Sequence, residues 1–277
     1  MSTDGNTVPS ISHVPLAGSA GAPVVMLVGA GLGTGVQALW SECAGELTAL
    51  LGDDVQVIGW DLPGHGCSPE HGERLSIGDL AYAVAGLVAR LRESGEIGAG
   101  ARVFYAGVSI NGAVALQLGL DHGELFDGIA VICSAAKIGE AAGWAERAEL
   151  VREQGTEVMV EGSTQRWFAP GFVDEHPGRV RALLDTLEET DRFSYARLCE
   201  ALADFDVRDQ LAKITVPMLT VHGADDAVCP PERGEEIVAR VAQGQAVVLD
   251  DVAHQAPLEA PESTARVLGE WLESLRG

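Results

Sequence analysis

Arg102–Gly112, RVFYAGVSING, is the stretch from which the rest of the chain can be read. Its β-branched and aromatic start reads as a buried strand. Gly107-Val108-Ser109-Ile110-Asn111-Gly112 then turns sharply into a helical pattern from Ala113 through Leu120. A serine between a strand and a helix in a G-x-S-x-G run is a nucleophile elbow. Such an elbow lifts the hydroxyl clear of the sheet, and the N–H groups that open the helix point to the same place. The last glycine position of the run holds Asn111, with Gly112 one residue late. Asn tolerates strained backbone better than most residues, but it is bulkier than glycine. The competing reading of Ser109 is a plain helix N-cap. A base, an acid and oxyanion donors must therefore be sought elsewhere.

Working outward, Pro23–Val28 is a continuous apolar run suited to a strand covered on both faces, and Ile11–Leu16 suits a short edge strand. Ala38–Leu51 reads as a helix, Val55–Trp60 as a strand, Ile77–Leu91 as a strongly periodic helix and Gly128–Cys133 as a further strand. From about Ser134 to Asp206 no strand pattern occurs. That stretch is helical, rich in Glu and Arg, and carries Trp144, Trp167 and Phe168. The strand–helix rhythm returns with Pro217–Val221, Arg233–Val241, Ala246–Leu249 and Ser263–Leu275. The alternation predicts an α/β fold: a mostly parallel central sheet flanked by helices. Residues 1–133 and 207–277 would form the core, and 134–206 an inserted helical cap over the carboxyl ends of the strands, where ligands bind.

Composition sets limits on partners. The 277 residues are 47% hydrophobic and 21% charged, with a formal net charge of −23. That field repels nucleic acid and anionic membranes, which excludes both as partners. An anionic substrate would need local cations. The five cysteines (Cys43, Cys67, Cys133, Cys199, Cys229) contain no C-x-x-C pair, so neither a disulfide framework nor a zinc site is suggested. The opening MSTDGNTVPS lacks the basic start and apolar run of a signal peptide, and no apolar run is long enough to span a bilayer. A cytoplasmic protein is expected.

The glycine-rich turn Gly29–Gly35 follows a strand and precedes a helix, as a dinucleotide site would. The G-x-G-x-x-G fingerprint fails in both registers, because the third glycine falls on Thr34 or Val36. No P-loop lysine pattern is present. In folds built on a nucleophile elbow, the loop after this strand supplies one oxyanion-hole N–H, and the residue after the nucleophile supplies the other. These would be Leu32 and Ile110.

Seven histidines are candidates for the base. His13 and His71 sit in polar segments, His122 and His176 at helix ends or in the cap, His65 in a tight turn, and His222 at a strand end. His254 follows the last strand, where a loop can hang it over the elbow. Upstream, the loop GADDAV offers Asp225 and Asp226. The chain order Ser, Asp, His matches the elbow chemistry: the His takes the serine proton, and the carboxylate fixes its tautomer. One of the two aspartates is expected to make an Asx turn.

Further motifs extend the pattern: Gly31-Leu32-Gly33-Thr34, Asp61-Leu62 with Gly64-His65-Gly66 and Ser68, Gly223-Ala224-Asp225-Asp226, and Ala253-His254. Ser134-Ala135-Ala136-Lys137-Ile138-Gly139, Arg166-Trp167-Phe168 with Pro170, and Pro230-Pro231 are more specific. From about Pro23 to the C-terminus the chain resembles the 3-oxoadipate enol-lactonases of the α/β-hydrolase superfamily. The resemblance implies Ser109 as nucleophile, His254 as base and Asp226, three residues after Gly223, as acid. It implies hydrolysis of a small carboxylated enol-lactone in aromatic catabolism, with no metal or organic cofactor. Arg166 becomes the candidate for the substrate carboxylate, and Trp144 and Trp167 either line the cavity or pack the cap. Pro63 and Cys67 depart from the pattern, standing where many relatives carry arginine. A carboxylesterase or C–C hydrolase on another small acid, or a ligand-binding protein without turnover, are the alternatives.

Overall fold

The computed structural model describes residues 8–275. Seven strands form one sheet in the order β1-β3-β2-β4-β5-β6-β7. They are β1 (His13–Ala17), β2 (Val24–Gly29), β3 (Val55–Trp60), β4 (Arg102–Val108), β5 (Gly128–Ile132), β6 (Met218–Gly223) and β7 (Gly244–Leu249). β1 is antiparallel to β3, and the remaining pairs are parallel. Pro15 lacks a donor and sits in β1, the edge strand, where the register slips between Pro15 and Ala17. β2 and β3, VVMLVG and VQVIGW, are buried at every residue, as strands covered on both faces must be.

The helices are α1 (Val36–Leu51), α2 (Ile77–Ser94), α3 (Ile110–Asp121), α4 (Ala141–Gln154), α5 (Val160–Trp167), α6 (Phe172–Glu175), α7 (Pro177–Glu189), α8 (Arg192–Asp204), α9 (Glu232–Val238), α10 (Ala256–Glu259) and α11 (Pro261–Ser274). From β2 the chain crosses through α1 to β3 on one side, then through α2 to β4 on the other. Right-handed crossovers in opposite directions place α1 and α2 on opposite faces. α1 packs with α11, and α2 with α3. A capping box between Ser76 and Asp79 starts α2. Helices α4 to α8 form the insert between β5 and β6.

The elements follow the sequence pattern, with one informative shift. α3 begins at Ile110, not Ala113, because the elbow places the first helical residue directly after Ser109. Reversal of direction at β2 opens a crevice beyond the paired ends Gly29 and Gly107, the place where open α/β sheets bind ligands. All five cysteines are free thiols. No helix among the described residues is long and apolar enough to cross a membrane.

Candidate active site

Ser109 stands at φ 57° and ψ −118°, and its side chain makes no capping bond to α3. Its backbone is in a region that a non-glycine residue occupies only under strain, and the N-cap reading does not account for its hydroxyl. Gly107 is needed for close approach: a Cβ there would lie 2.0 Å from the Asn111 carbonyl oxygen. Asn111 itself is not strained. Among the described non-glycine residues, positive φ occurs at Ser109, Cys133 and Asp251. Of the two properties of Asn111 weighed from the sequence, tolerance of strained backbone is therefore not used, and side-chain volume is the one that matters. Gly29 makes the room, since a Cβ at that position would lie 2.6 Å from Asn111 Cγ. In that space Asn111 Nδ2 donates to the Ala30 carbonyl, and Tyr105 OH donates to Asn111 Oδ1 at 3.1 Å. Asn111 thus ties the elbow to the loop that follows β2.

That loop is braced at nearly every step. Thr34 N–H and hydroxyl both donate to Gly31 O, Gly35 N–H donates to Thr186 Oγ1 of α7 at 3.0 Å, and Val36 N–H to Asp61 Oδ1 at 2.8 Å. A Cβ built at Gly31 would lie 3.6 Å from Ser109 Cβ, so loop and elbow adjoin. Among the described residues, the Leu32 and Ile110 N–H groups have no acceptor within the protein.

His65 holds the same loop. Its Nδ1 lies 2.9 Å from Pro63 O, which can only accept, so Nδ1 carries the proton. Nε2 is then free to accept from Gly33 N–H at 2.9 Å. Burial pushes the His65 pKa down to about 4, against the opposing pull of the Pro63 carbonyl and Asp191. The unfolded chain, with its histidine near 6.5, binds this proton first. Stability should therefore be constant above about pH 6.5 and fall by roughly 3 kcal/mol as the pH drops toward 4. Denaturant midpoints measured across that window, beside His65→Gln, check this. The substitution should flatten the slope, and an unchanged slope would assign it to other groups.

Parallel β6 and β7 deliver the loops that carry the candidate acid Asp226 and the candidate base His254 to the same sheet edge. Ala224 N–H donates to Leu249 O and Asp225 N–H to Val252 O, both at 2.9 Å, which locks the two loops together. Asp226 Oδ2 lies 2.9 Å from His254 Nδ1, and their side chains are 0% and 3% exposed. Oδ1 of the same residue accepts from Val228 N–H at 2.8 Å and Cys229 N–H at 2.9 Å. Asp226 therefore makes the Asx turn and faces the histidine at once, while Asp225 is exposed. Burial alone would raise the Asp226 pKa. The histidine's positive charge and hydrogen bond, with the two N–H groups, outweigh it and hold the carboxyl below its ordinary value.

Ser109 and His254 line one cavity of about 240 Å³, with Leu32 of the glycine loop, Val228 and Gln255. Trp144, Arg166 and Trp167, singled out in the sequence, come from the insert to the same wall, joined by Arg147 and Tyr195. Trp144 also donates its Nε1–H to Ile138 O at 2.6 Å, so it both packs and lines. A larger groove of about 720 Å³ lies between α2, α3 and α8 and contains none of these residues. Arg147 is 4.6 Å from the Trp144 ring centroid. Its signal in the sequence is its place one helical turn beyond Trp144. Gln255 had only its adjacency to His254, and Tyr195 had no local signal.

Neither Arg147 nor Arg166 forms an ion pair among the described residues, and the one carboxylate on the cavity wall, Glu140, is engaged by Lys137 at 2.6 Å. Burial, and then the neighbouring Arg147 charge, push the Arg166 pKa down. Two guanidinium groups thus share a small cavity without a counter-ion among the described residues.

Comparison with known proteins places the fold among relatives. A family model described as "Serine aminopeptidase, S33" matches residues 41–261. The chain is 34% identical to 3-oxoadipate enol-lactonase 2 of Acinetobacter baylyi over 215 residues, 78% of each chain. It is 30% identical to 3-oxoadipate enol-lactonase 1 of the same organism over 228 residues, 82% of each. The crystal structure of the enol-lactonase from Burkholderia xenovorans LB400 superposes with a TM-score of 0.85 at 24% identity, covering 95% of this chain and 96% of that one. The chain belongs to the α/β-hydrolase family, as a serine hydrolase of the enol-lactonase group.

Proposed function

We propose that this protein opens a small carboxylated enol-lactone, 3-oxoadipate enol-lactone by likeness to its relatives, through Ser109, His254 and Asp226. The observation that carries the substrate class is Arg147 and Arg166, neither in an ion pair among the described residues, beside Ser109 and His254 in one small cavity. In a chain with a net charge of −23, guanidinium groups left without a carboxylate partner at such a place suit an anionic ligand. A volume of about 240 Å³ is small for a ligand pocket and suits a compact ring better than a long chain.

In this mechanism Ser109 Oγ attacks the lactone carbonyl while His254 takes its proton. Asp226 holds the imidazole by Nδ1 and stabilises the imidazolium. The Leu32 and Ile110 N–H groups receive the oxyanion, each worth roughly 3 kcal/mol in such a site. Collapse breaks the bond to the ring oxygen, and His254 returns the proton to the leaving enol oxygen. Water, deprotonated by His254, attacks the acyl-enzyme, and Ser109 leaves with the proton. The guanidinium groups hold the carboxylate, and Trp144 and Trp167 flank the ring.

The test is loss of the enol-lactone ultraviolet absorbance with purified protein, beside Arg147→Gln and Arg166→Gln. Each substitution removes a charge-assisted contact of about 1.5–3 kcal/mol, so KM for the lactone should rise roughly ten- to a hundredfold. Turnover of a neutral activated ester should stay near wild type. Turnover of neutral esters alone, with no loss of lactone, would reject the substrate and leave the hydrolase.

A further inference from the structure

Glu259 ends α10, five residues after His254, and no motif in the sequence marks it. Its carboxylate accepts three backbone N–H groups. Oε1 takes Gln255 N–H at 2.8 Å, and Oε2 takes Ala253 N–H at 3.2 Å and Ala169 N–H at 2.7 Å. Two of these donors are the residues on either side of His254. The third lies just beyond α5, in the insert, close after Arg166 and Trp167. His254 N–H donates to Trp167 O at 3.1 Å and doubles the link. The base loop and the segment that brings Arg166 to the cavity are therefore one hydrogen-bonded unit, with Glu259 at its node.

The chemistry of the node calls for an anion. Each of these partners is a donor, and a proton on the carboxyl would find no acceptor among them. Burial opposes the charge and pushes the Glu259 pKa up, against the three N–H groups and His254. A charge kept where burial disfavours it, beside a catalytic base, is the pattern of a functional site.

We propose that Glu259 is a positioning residue, whose carboxylate holds His254 in place for Ser109 and keeps Arg166 in register with it. This rests on the reading of His254 as base and Arg166 as substrate contact. The charged and titratable groups around His254 are Asp226 on the loop after β6, His222 on β6 and Glu259 on α10, with Glu140 just before α4, Arg147 on α4, Arg166 on α5 and Tyr195 on α8 along the wall of the cavity it lines.

The experiment compares Glu259→Gln, Glu259→Asp and His254→Ala on the lactone and on a neutral activated ester, with folding checked by melting. In Glu259→Gln, misplacement of the base should lower kcat about ten- to a hundredfold on both substrates. KM should rise for the lactone alone. The acid limb of kcat/KM should move to lower pH, since a negative charge facing the imidazolium is gone. Glu259→Asp should keep the acid limb and recover part of kcat. Wild-type kinetics in Glu259→Gln, or equal losses in Gln and Asp with an unmoved acid limb, would overturn the proposal. If Glu259→Gln does not fold, Glu259→Asp decides: a lower kcat with KM raised for the lactone alone upholds it, and wild-type kinetics overturn it. Full activity in His254→Ala would instead remove the reading of the base, separately from the role of Glu259.

Discussion

Ser109→Ala is expected to lower kcat on any substrate of this protein by about 10⁴- to 10⁶-fold, with little change in substrate binding. The size follows from the chemistry. Without Oγ no acyl-enzyme forms, and what remains is the contribution of the oxyanion donors and of binding. The substitution removes one oxygen from a residue held at φ 57° by the turn between β4 and α3. That turn depends on Gly107 and on the Ser134 hydroxyl donating to Ser109 O at 2.6 Å, both of which survive the change. The fold should therefore persist. Steady-state turnover and labelling by an organophosphonate check this together. Labelling of wild type but not of the variant identifies the nucleophile, whereas residual turnover within tenfold of wild type would move it elsewhere.

Asp226→Asn should cost about 10⁴-fold in kcat, and Asp225→Asn next to nothing. The amide can keep the bonds from Val228 and Cys229 N–H, so the turn is preserved. It cannot stabilise an imidazolium, and it favours the wrong tautomer of His254. Asp225 is exposed and directs only its backbone to the base loop. Measured kcat for the two variants decides the matter, and equal effects would contradict the assignment. The acid side of the stability curve carries the same information. The Asp226 carboxyl lies below its unfolded value of about 3.8, so its contribution is present above that pH and is lost as the pH falls through the lower, folded value. Asp226→Asn should weaken this acid dependence.

Much of the site was legible because each part has a local signature. A strand, a strained turn and a helix made Ser109 readable, and loops after later strands made Asp226 and His254 readable in order. The glycine loop was readable through its failure to match a dinucleotide fingerprint. Asn111 was readable as bulkier than the usual glycine, but where its side chain finds room was not, because the glycine that provides it, Gly29, lies on another strand. Arg147 was passed over because a helical arginine in an acidic chain looks like a solvated one until its side chain is seen on the cavity wall over Trp144, without a carboxylate. Glu259 was invisible because its three acceptor bonds go to backbone groups, which leave no mark on residue identity.

The sequence by itself determined the order of strands and helices, the elbow, and the chain order of the candidate acid Asp226 and candidate base His254. These follow from periodicity, turn chemistry and spacing, which are properties of neighbouring residues. Only the tertiary structure decided that Arg147 joins Arg166 without a counter-ion, that His65 is neutral and braces the glycine loop, and that Glu259 joins the base loop to the insert. Each of those depends on burial and on which distant backbone groups meet, and both are set by the packing of the insert over the parallel sheet.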